Sequence, residues 1–245
     1  MGEVVDVLYG SNLGCIVPHD VFSIASHVLQ LEQRFLAWQG DLPDSMTLID
    51  PETLSMSTDS DSILRFRTIL TLRYLNLRIL THRPLLCMDL EALGSSTAGS
   101  QQLAMLRQVG TNSVRICAQS ALMIIRLMRA VLSVTGPTRH LLGAWWFSLY
   151  YGKPWPPCEF VINAKDDVAF NAALVIYATL LVQHQAKIRK HALALDDLDI
   201  SMETLQQAIE CLSLLFKGNR MTERCVRYTS ALAHTLSSIC MFAPA

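Results

Sequence analysis

Helical periodicity runs through most of this chain and constrains its fold more than any other feature. In residues 20–38, 201–216 and 222–241, apolar side chains recur at three- and four-residue steps, as on one face of an α-helix. The last two segments are joined by only a few residues, which favours an antiparallel hairpin. No stretch alternates like a half-buried strand. We predict an all-α fold, an irregular bundle of roughly seven to ten helices with no significant sheet.

Composition excludes several classes of protein. The chain is 51% hydrophobic and 17% charged, with a formal net charge of -1 and a mean hydropathy of +0.30. This balance argues against direct contact with nucleic acid, which needs concentrated positive charge. The apolar runs 141–151 and 172–182 are shorter than the roughly 18 residues needed to span a membrane. We expect core helices and no membrane contact, with a small membrane protein as an alternative because hydropathy is high.

The chain divides into an N-terminal segment, residues 1–19, and a single helical domain, residues 20–242. Residues 94–101 are rich in Gly and Ser and are predicted to form a flexible linker. Residues 152–168 contain a Pro-Trp-Pro-Pro sequence between two apolar helical flanks. They are interpreted as an insertion into one helix, with a translated intron as one origin and a natural helix–loop–helix as the alternative.

No catalytic, metal-binding or DNA-binding residue is predicted. The seven cysteines are odd in number and widely spaced, with no C-x-x-C pair, which favours reduced thiols over a zinc site. The acidic group Asp196, Asp197 and Asp199 keeps open an α-helical, Mg²⁺-dependent terpenoid-synthase-like enzyme. A second metal motif is missing from the sequence, so we assign these acids to the N-terminus of the following helix, whose dipole favours negative charge.

Residues 72–86 read Leu-Arg-Tyr-Leu-Asn-Leu-Arg-Ile-Leu-Thr-His-Arg-Pro-Leu-Leu. This segment resembles the signature helix of the fungal-specific transcription factor domain, the middle homology region of Zn(II)2Cys6 binuclear zinc cluster regulators. A helix predicted over 63–82 would end at Pro84, because proline blocks helix continuation. Arg83 would bind a neighbouring carboxylate or exposed carbonyls, with a solvated side chain as the alternative. The motif residues proposed as structural sites are Tyr74, Leu80, His82, Arg83, Pro84 and Leu85.

The resemblance implies a regulator of RNA polymerase II transcription in a fungal nucleus, often tied to a secondary-metabolism gene cluster. It implies protein partners in the transcription machinery or an effector bound between helices, and a homodimer is compatible with it. The six-cysteine zinc cluster of the family is absent from this sequence. We therefore expect the regulatory part alone, with no cofactor in this chain.

Overall fold

The computed structural model describes residues 4, 8, 21–54, 59–94, 100–133, 168–188, 195, 197–215 and 220–241. These residues form a short 3₁₀ turn, Asp44–Met46, and six helices, against seven to ten expected for the whole chain. No strand occurs in the described ranges, and the predicted all-α class is confirmed. The helices are α1 (Val21–Gly40), α2 (Asp61–Gly94), α3 (Ser100–Ser133), α4 (Val168–Ile188), α5 (Met202–Leu215) and α6 (Arg220–Met241).

The long helices α2 and α3 pack against each other and form the centre of the bundle. Helix α4 packs on both, the α5–α6 pair packs on α4, and α1 lies against α2. The main core includes Leu72, Ile79, Ile124 and Met128, whose side chains are fully buried. A second, smaller cluster joins the inner face of α1 to Leu85 of α2. The fold thus leaves α1 attached along one edge of the central pair.

Helix α4 (Val168–Ile188) is longer than the apolar run 172–182 from which it was predicted. By length and composition it is able to cross a membrane, but 56% of its most apolar window is buried inside the protein. Its contacts with α2, α3, α5 and α6 account for that burial. This is the pattern of the core helix that the sequence predicts.

The sequence predicts a turn at 50–52 with Asp50 at its cap and proline after it, and it predicts Ser201 as the cap of the helix that follows; both predictions are confirmed. The Asp50 carboxylate accepts a hydrogen bond from the Glu52 amide at 2.9 Å, and the Thr53 amide bonds to the Asp50 carbonyl at 3.0 Å, which forms the predicted turn. At the start of α5, the Ser201 hydroxyl accepts a hydrogen bond from the Thr204 amide at 3.4 Å. Ser201 is therefore the N-cap of α5.

Replacing Ser201 by Ala is expected to lower the free energy of unfolding by about 0.5–1 kcal/mol, because the Thr204 amide loses its side-chain acceptor. Urea denaturation followed by circular dichroism measures the change. Ser213→Ala is the control, since Ser213 is exposed and its hydroxyl bonds only to the Glu210 carbonyl within the same helix. Equal stability of the two variants would show that the cap contributes nothing.

The prediction that the signature helix ends at Pro84 is wrong. Helix α2 passes through Pro84 and ends at Gly94. The ring removes one backbone donor, which ordinarily costs about 3 kcal/mol in a helix interior. The two residues after it, Leu85 and Leu86, are 0% and 2% exposed. Burying two leucines contributes about 3–6 kcal/mol, enough to offset the proline. His82 consequently lies inside the helix and not at its carboxyl end.

Two organisational predictions fall mainly outside the described residues. Gly94 ends α2, and Ser100 and Gln101 begin α3, so the helices take up three positions of the predicted linker. Residues 95–99 lie outside the described ranges, as do 152–167 of the predicted insertion. Val168, its last residue, begins α4.

Candidate functional site

A buried polar cluster joins α1, α2 and α3 at the signature segment. Glu32 of α1 accepts hydrogen bonds from Arg78, including one from Nε to Oε2 at 3.3 Å, and forms an ion pair with its Nη2. The His82 Nε2 lies 3.2 Å from the same Oε2. The His82 Nδ1 lies 3.1 Å from the Ser113 Oγ of α3. One carboxylate and one imidazole therefore connect three helices.

The charges in this cluster stabilise the ionised carboxylate of Glu32. Burial alone would raise its pKa, but hydrogen bonds from His82 and Arg78 and their positive charge outweigh it, lowering the pKa from 4.5 to about 2. An ionised carboxylate only accepts hydrogen bonds, so the His82 Nε2 must carry its hydrogen and donate it. The histidine ring is almost completely buried, and its orientation is fixed by partners on both nitrogens.

Aromatic contacts extend the cluster along α1. The Tyr74 hydroxyl donates to the Gln39 Oε1 at 2.7 Å. The Tyr74 ring stacks on Trp38 with centroids 5.7 Å apart and meets Phe35 edge-on at 6.2 Å. The Arg78 guanidinium carbon lies 5.7 Å from the Tyr74 ring centroid, within cation–π distance. Burial raises the pKa of Tyr74, and the tyrosine remains a neutral donor.

The structure brings some of the predicted motif residues together and separates others. Tyr74 and His82 belong to the polar cluster, whereas Leu85 belongs to the apolar cluster under α1, with Leu80 packed beside it. Arg83 lies on a different side of α2, where it lines a cavity of about 200 Å³ next to Cys87. Pro84 lies inside the helix. The motif therefore serves packing in several directions and does not form one site.

Sequence reasoning missed Glu32, Arg78 and Ser113. A signal was available, because Tyr74, Arg78 and His82 recur at four-residue steps and therefore share one face of a helix. The partner of that face was harder to find, since a single acid in an amphipathic helix resembles an ordinary solvent-facing residue.

A cleft of about 570 Å³ adjoins the polar cluster. Helices α2 and α3 form its base, with Tyr74 and Arg78 on one side and Ser120 and Met123 on the other. One wall is the segment 48–50, and the opposite wall is the segment 197–199. The volume lies in the range of small-molecule sites in proteins.

The acidic group directly precedes α5, as predicted, and it also pairs with two arginines of α3. Asp197 accepts hydrogen bonds from both terminal nitrogens of Arg115 at 2.7–2.9 Å, and Asp199 lies 3.4 Å from the Arg126 Nη2. Both arginines lie on α3, and these pairs hold the 197–199 segment against that helix. Asp196 lies outside the described residues.

Metal-ligating side chains do not converge in the part of the chain that the structure describes. There, no group of three or more His, Cys, Asp or Glu residues lies close enough to hold a metal ion. The described cysteines form no disulfide bonds. Burial raises the pKa of Cys211 to about 12 and that of Cys117 further still, so both are poor nucleophiles.

Comparison with known proteins gives two informative relatives. The chain is 30% identical over 234 residues to "Transcription factor FBD3" of Fusarium pseudograminearum (strain CS3096), a match covering 94% of this chain and 28% of the relative. It is 30% identical over 188 residues to "Transcription factor FBD3" of Gibberella moniliformis (strain M3125 / FGSC 7600), covering 75% of this chain and 22% of that relative. The chain thus spans about a quarter of the length of these curated relatives.

No family model matches the chain, and no solved structure matches it. The fungal-specific transcription factor domain is therefore not established by a family match. The similarity to the two relatives extends over most of the chain, well beyond the signature segment. These findings relate the chain to fungal transcription factors.

Proposed function

We propose that this chain is the regulatory part of a fungal regulator of RNA polymerase II transcription, acting in the nucleus through contacts with proteins or a small effector. The observation that carries the proposal is the 30% identity to a named transcription factor over 94% of the chain. The name of the relatives also favours a non-enzymatic role. A metabolic gene cluster is the proposed target, by resemblance of the signature segment to its family.

The arrangement of the helices supports a regulatory role. Helix α1 is attached to the rest of the bundle through the polar cluster around Glu32 and the apolar cluster around Leu85. Tyr74 and Arg78 belong to the polar cluster and also line the cleft. A ligand in the cleft would therefore contact the residues that hold α1.

The outer face of α1 supports a role in partner binding. Phe22, Leu29 and Leu36 follow one another at seven-residue intervals and are 50%, 55% and 55% exposed. Residues seven apart lie on the same face of a helix, so these side chains form one apolar stripe. Such stripes are typical of surfaces that bind another helix.

A tethered-reporter assay tests the proposal. Residues 1–245 are fused to a sequence-specific DNA-binding module that is inactive by itself, and expression of a reporter gene is measured in a fungal host. We expect the fusion to change expression at least threefold, up or down, relative to the module alone. A folded fusion that is present in the nucleus at the same level and leaves expression unchanged would refute the proposal.

Leu29→Glu is expected to abolish at least half of the reporter response, because it places a charge in the middle of the apolar stripe. Its free energy of unfolding should change by no more than about 0.5 kcal/mol, since Leu29 is exposed. Gln30→Glu, at an exposed position about 100° around the helix from Leu29 and therefore off the stripe, is the charge-matched control. Loss of the reporter response in both variants, or in neither, would show that the apolar stripe is not what the response requires.

A further inference from the structure

We infer that the cleft between α2 and α3 is a binding site for an uncharged, two- to three-ring organic ligand that carries at least one hydroxyl or carbonyl group. The inference deepens the proposed function, on which it rests for its regulatory meaning, because such a ligand would be the effector. Binding itself is measurable without any transcription assay. Three features of the cleft support such a ligand, namely its fixed walls, its paired charges and one buried hydroxyl.

The walls of the cleft are held in place by specific hydrogen bonds. On one side, the Arg67 Nε and Nη2 donate to the carbonyl and hydroxyl oxygens of Thr47 at 2.8 and 2.9 Å. The Ile49 amide, two residues on, donates to the buried Thr71 hydroxyl at 2.9 Å. These bonds fix the 48–50 wall to α2 before any ligand arrives.

The opposite wall is fixed to α3 and α5. Arg115 holds Asp197 through two guanidinium nitrogens, and the Thr204 hydroxyl donates to the Asp199 carbonyl at 3.1 Å. With both walls fixed, the cleft is largely formed in the free protein, which is the usual condition of small-molecule sites.

The charged groups of the lining already have partners within the protein. Arg78 pairs with Glu32, which does not line the cleft, and Arg126 pairs with Asp199. The Asp50 carboxylate accepts the Glu52 amide. An anion would find both lining arginines already paired, and a cation would find only the exposed, solvated carboxylate of Asp50, so the cleft favours a neutral ligand. Leu75, Leu122 and Met123 supply the apolar surface for its ring system.

Ser120 supplies the polar contact that fixes the ligand's orientation. It is 0% exposed and lines the cleft, and its Oγ has no hydrogen-bond partner in the described structure. Buried helical hydroxyls such as Thr68, Thr179 and Thr229 instead donate to the carbonyl four residues earlier, each at 2.8 Å. A buried hydroxyl without a partner is destabilising, and rotation of the Ser120 side chain towards the cleft would let a ligand hydroxyl or carbonyl satisfy it.

Three naphthalene probes with the same ring skeleton test the site by ligand-observed NMR titration of the full chain. They are 2-naphthalenemethanol, which is neutral, 2-naphthoate, an anion, and 2-naphthylmethylammonium, a cation. We expect the alcohol to bind at least tenfold more tightly than either charged probe. Equal or tighter binding of a charged probe would overturn the ligand class.

Two substitutions locate the binding. Gln119→Trp places an indole at the exposed rim of the cleft and should weaken binding of the alcohol at least tenfold. Gln206→Trp, at an exposed position of α5 that does not line the cleft, is the matched control and should leave affinity unchanged. Unchanged affinity in Gln119→Trp would place the site elsewhere and overturn the inference.

Ser120→Ala separates the hydroxyl contact from general packing. The substitution should weaken the binding of 2-naphthalenemethanol three- to tenfold and leave the binding of naphthalene itself unchanged. An equal change in affinity for both probes would show that the Ser120 hydroxyl does not contact the ligand.

A tethered fusion that regulates its reporter while no probe binds would refute this inference alone. Probe binding with an inert fusion would refute the proposed function and leave the site standing.

Discussion

Replacing Glu32 by Gln is expected to lower the free energy of unfolding by about 2 kcal/mol at neutral pH. The amide keeps the size of the side chain but removes the negative charge, which leaves Arg78 and His82 beside each other without an ionised acceptor. Glu210→Gln, at an exposed position of α5, is the matched control and should change stability by less than about 0.5 kcal/mol. Urea denaturation measures the free energy of unfolding of both variants. Equal losses in Glu32→Gln and Glu210→Gln would show that the Glu32 charge does not stabilise the fold.

The loss of unfolding free energy in Glu32→Gln should depend on pH in a defined direction. The pKa of Glu32 is lowered from 4.5 to about 2 in the folded chain, so its carboxylate stabilises the fold above pH 4.5. That stabilisation is lost as the pH falls from 4.5 towards 2. The shift corresponds to about 3 kcal/mol, of which we expect about 2 in experiment because the side chain keeps some contact with solvent. The difference between wild type and Glu32→Gln should fall by more than half between pH 6 and pH 3. A difference in unfolding free energy that stays constant with pH would show that the Glu32 carboxylate is not its source.

Leu85→Ala is expected to lower the free energy of unfolding by about 3 kcal/mol, within the range for leucines replaced by alanine in well-packed cores. Leu85 is 0% exposed and belongs to one buried apolar cluster with Val21, Ala25 and Val28 on the inner face of α1. The cavity left behind should therefore loosen α1 specifically, which amide hydrogen exchange detects as faster exchange in residues 21–40.

Leu36→Ala is the matched control for Leu85→Ala, since it removes the same atoms from a position that is 55% exposed. It should change stability by less than about 0.5 kcal/mol. A loss in Leu36→Ala as large as that in Leu85→Ala would show that the small apolar cluster does not hold α1.

The helices that depend on local pattern were predictable from sequence. Helix α1 begins and ends within two residues of the predicted 20–38, because its apolar period is a local signal. Ser201 was recognised as a cap for the same reason. Residues that follow standard helix rules reveal their structure without knowledge of their partners.

Features decided by distant contacts were not predictable. Pro84 is a local stop signal, but burial of Leu85 and Leu86 outweighs it, and that burial exists only in the folded bundle. Asp197 and Asp199 resemble helix-capping acids until Arg115 and Arg126 are brought opposite them from another helix. The cleft likewise needs segments that are far apart in the chain, so no sequence motif indicates it.

The most direct test of the polar cluster is a double-mutant cycle between Glu32→Gln and Arg78→Met, with free energies of unfolding measured for all four proteins. A coupling energy of about 1–3 kcal/mol is predicted, because the two charges pair in a largely buried site. The control cycle, Arg126→Met with Asp199→Asn, concerns a pair that is 44% and 83% exposed, and should give less than about 0.5 kcal/mol. Coupling between Glu32 and Arg78 no larger than in this control would contradict the claim that their pairing holds α1 to the bundle.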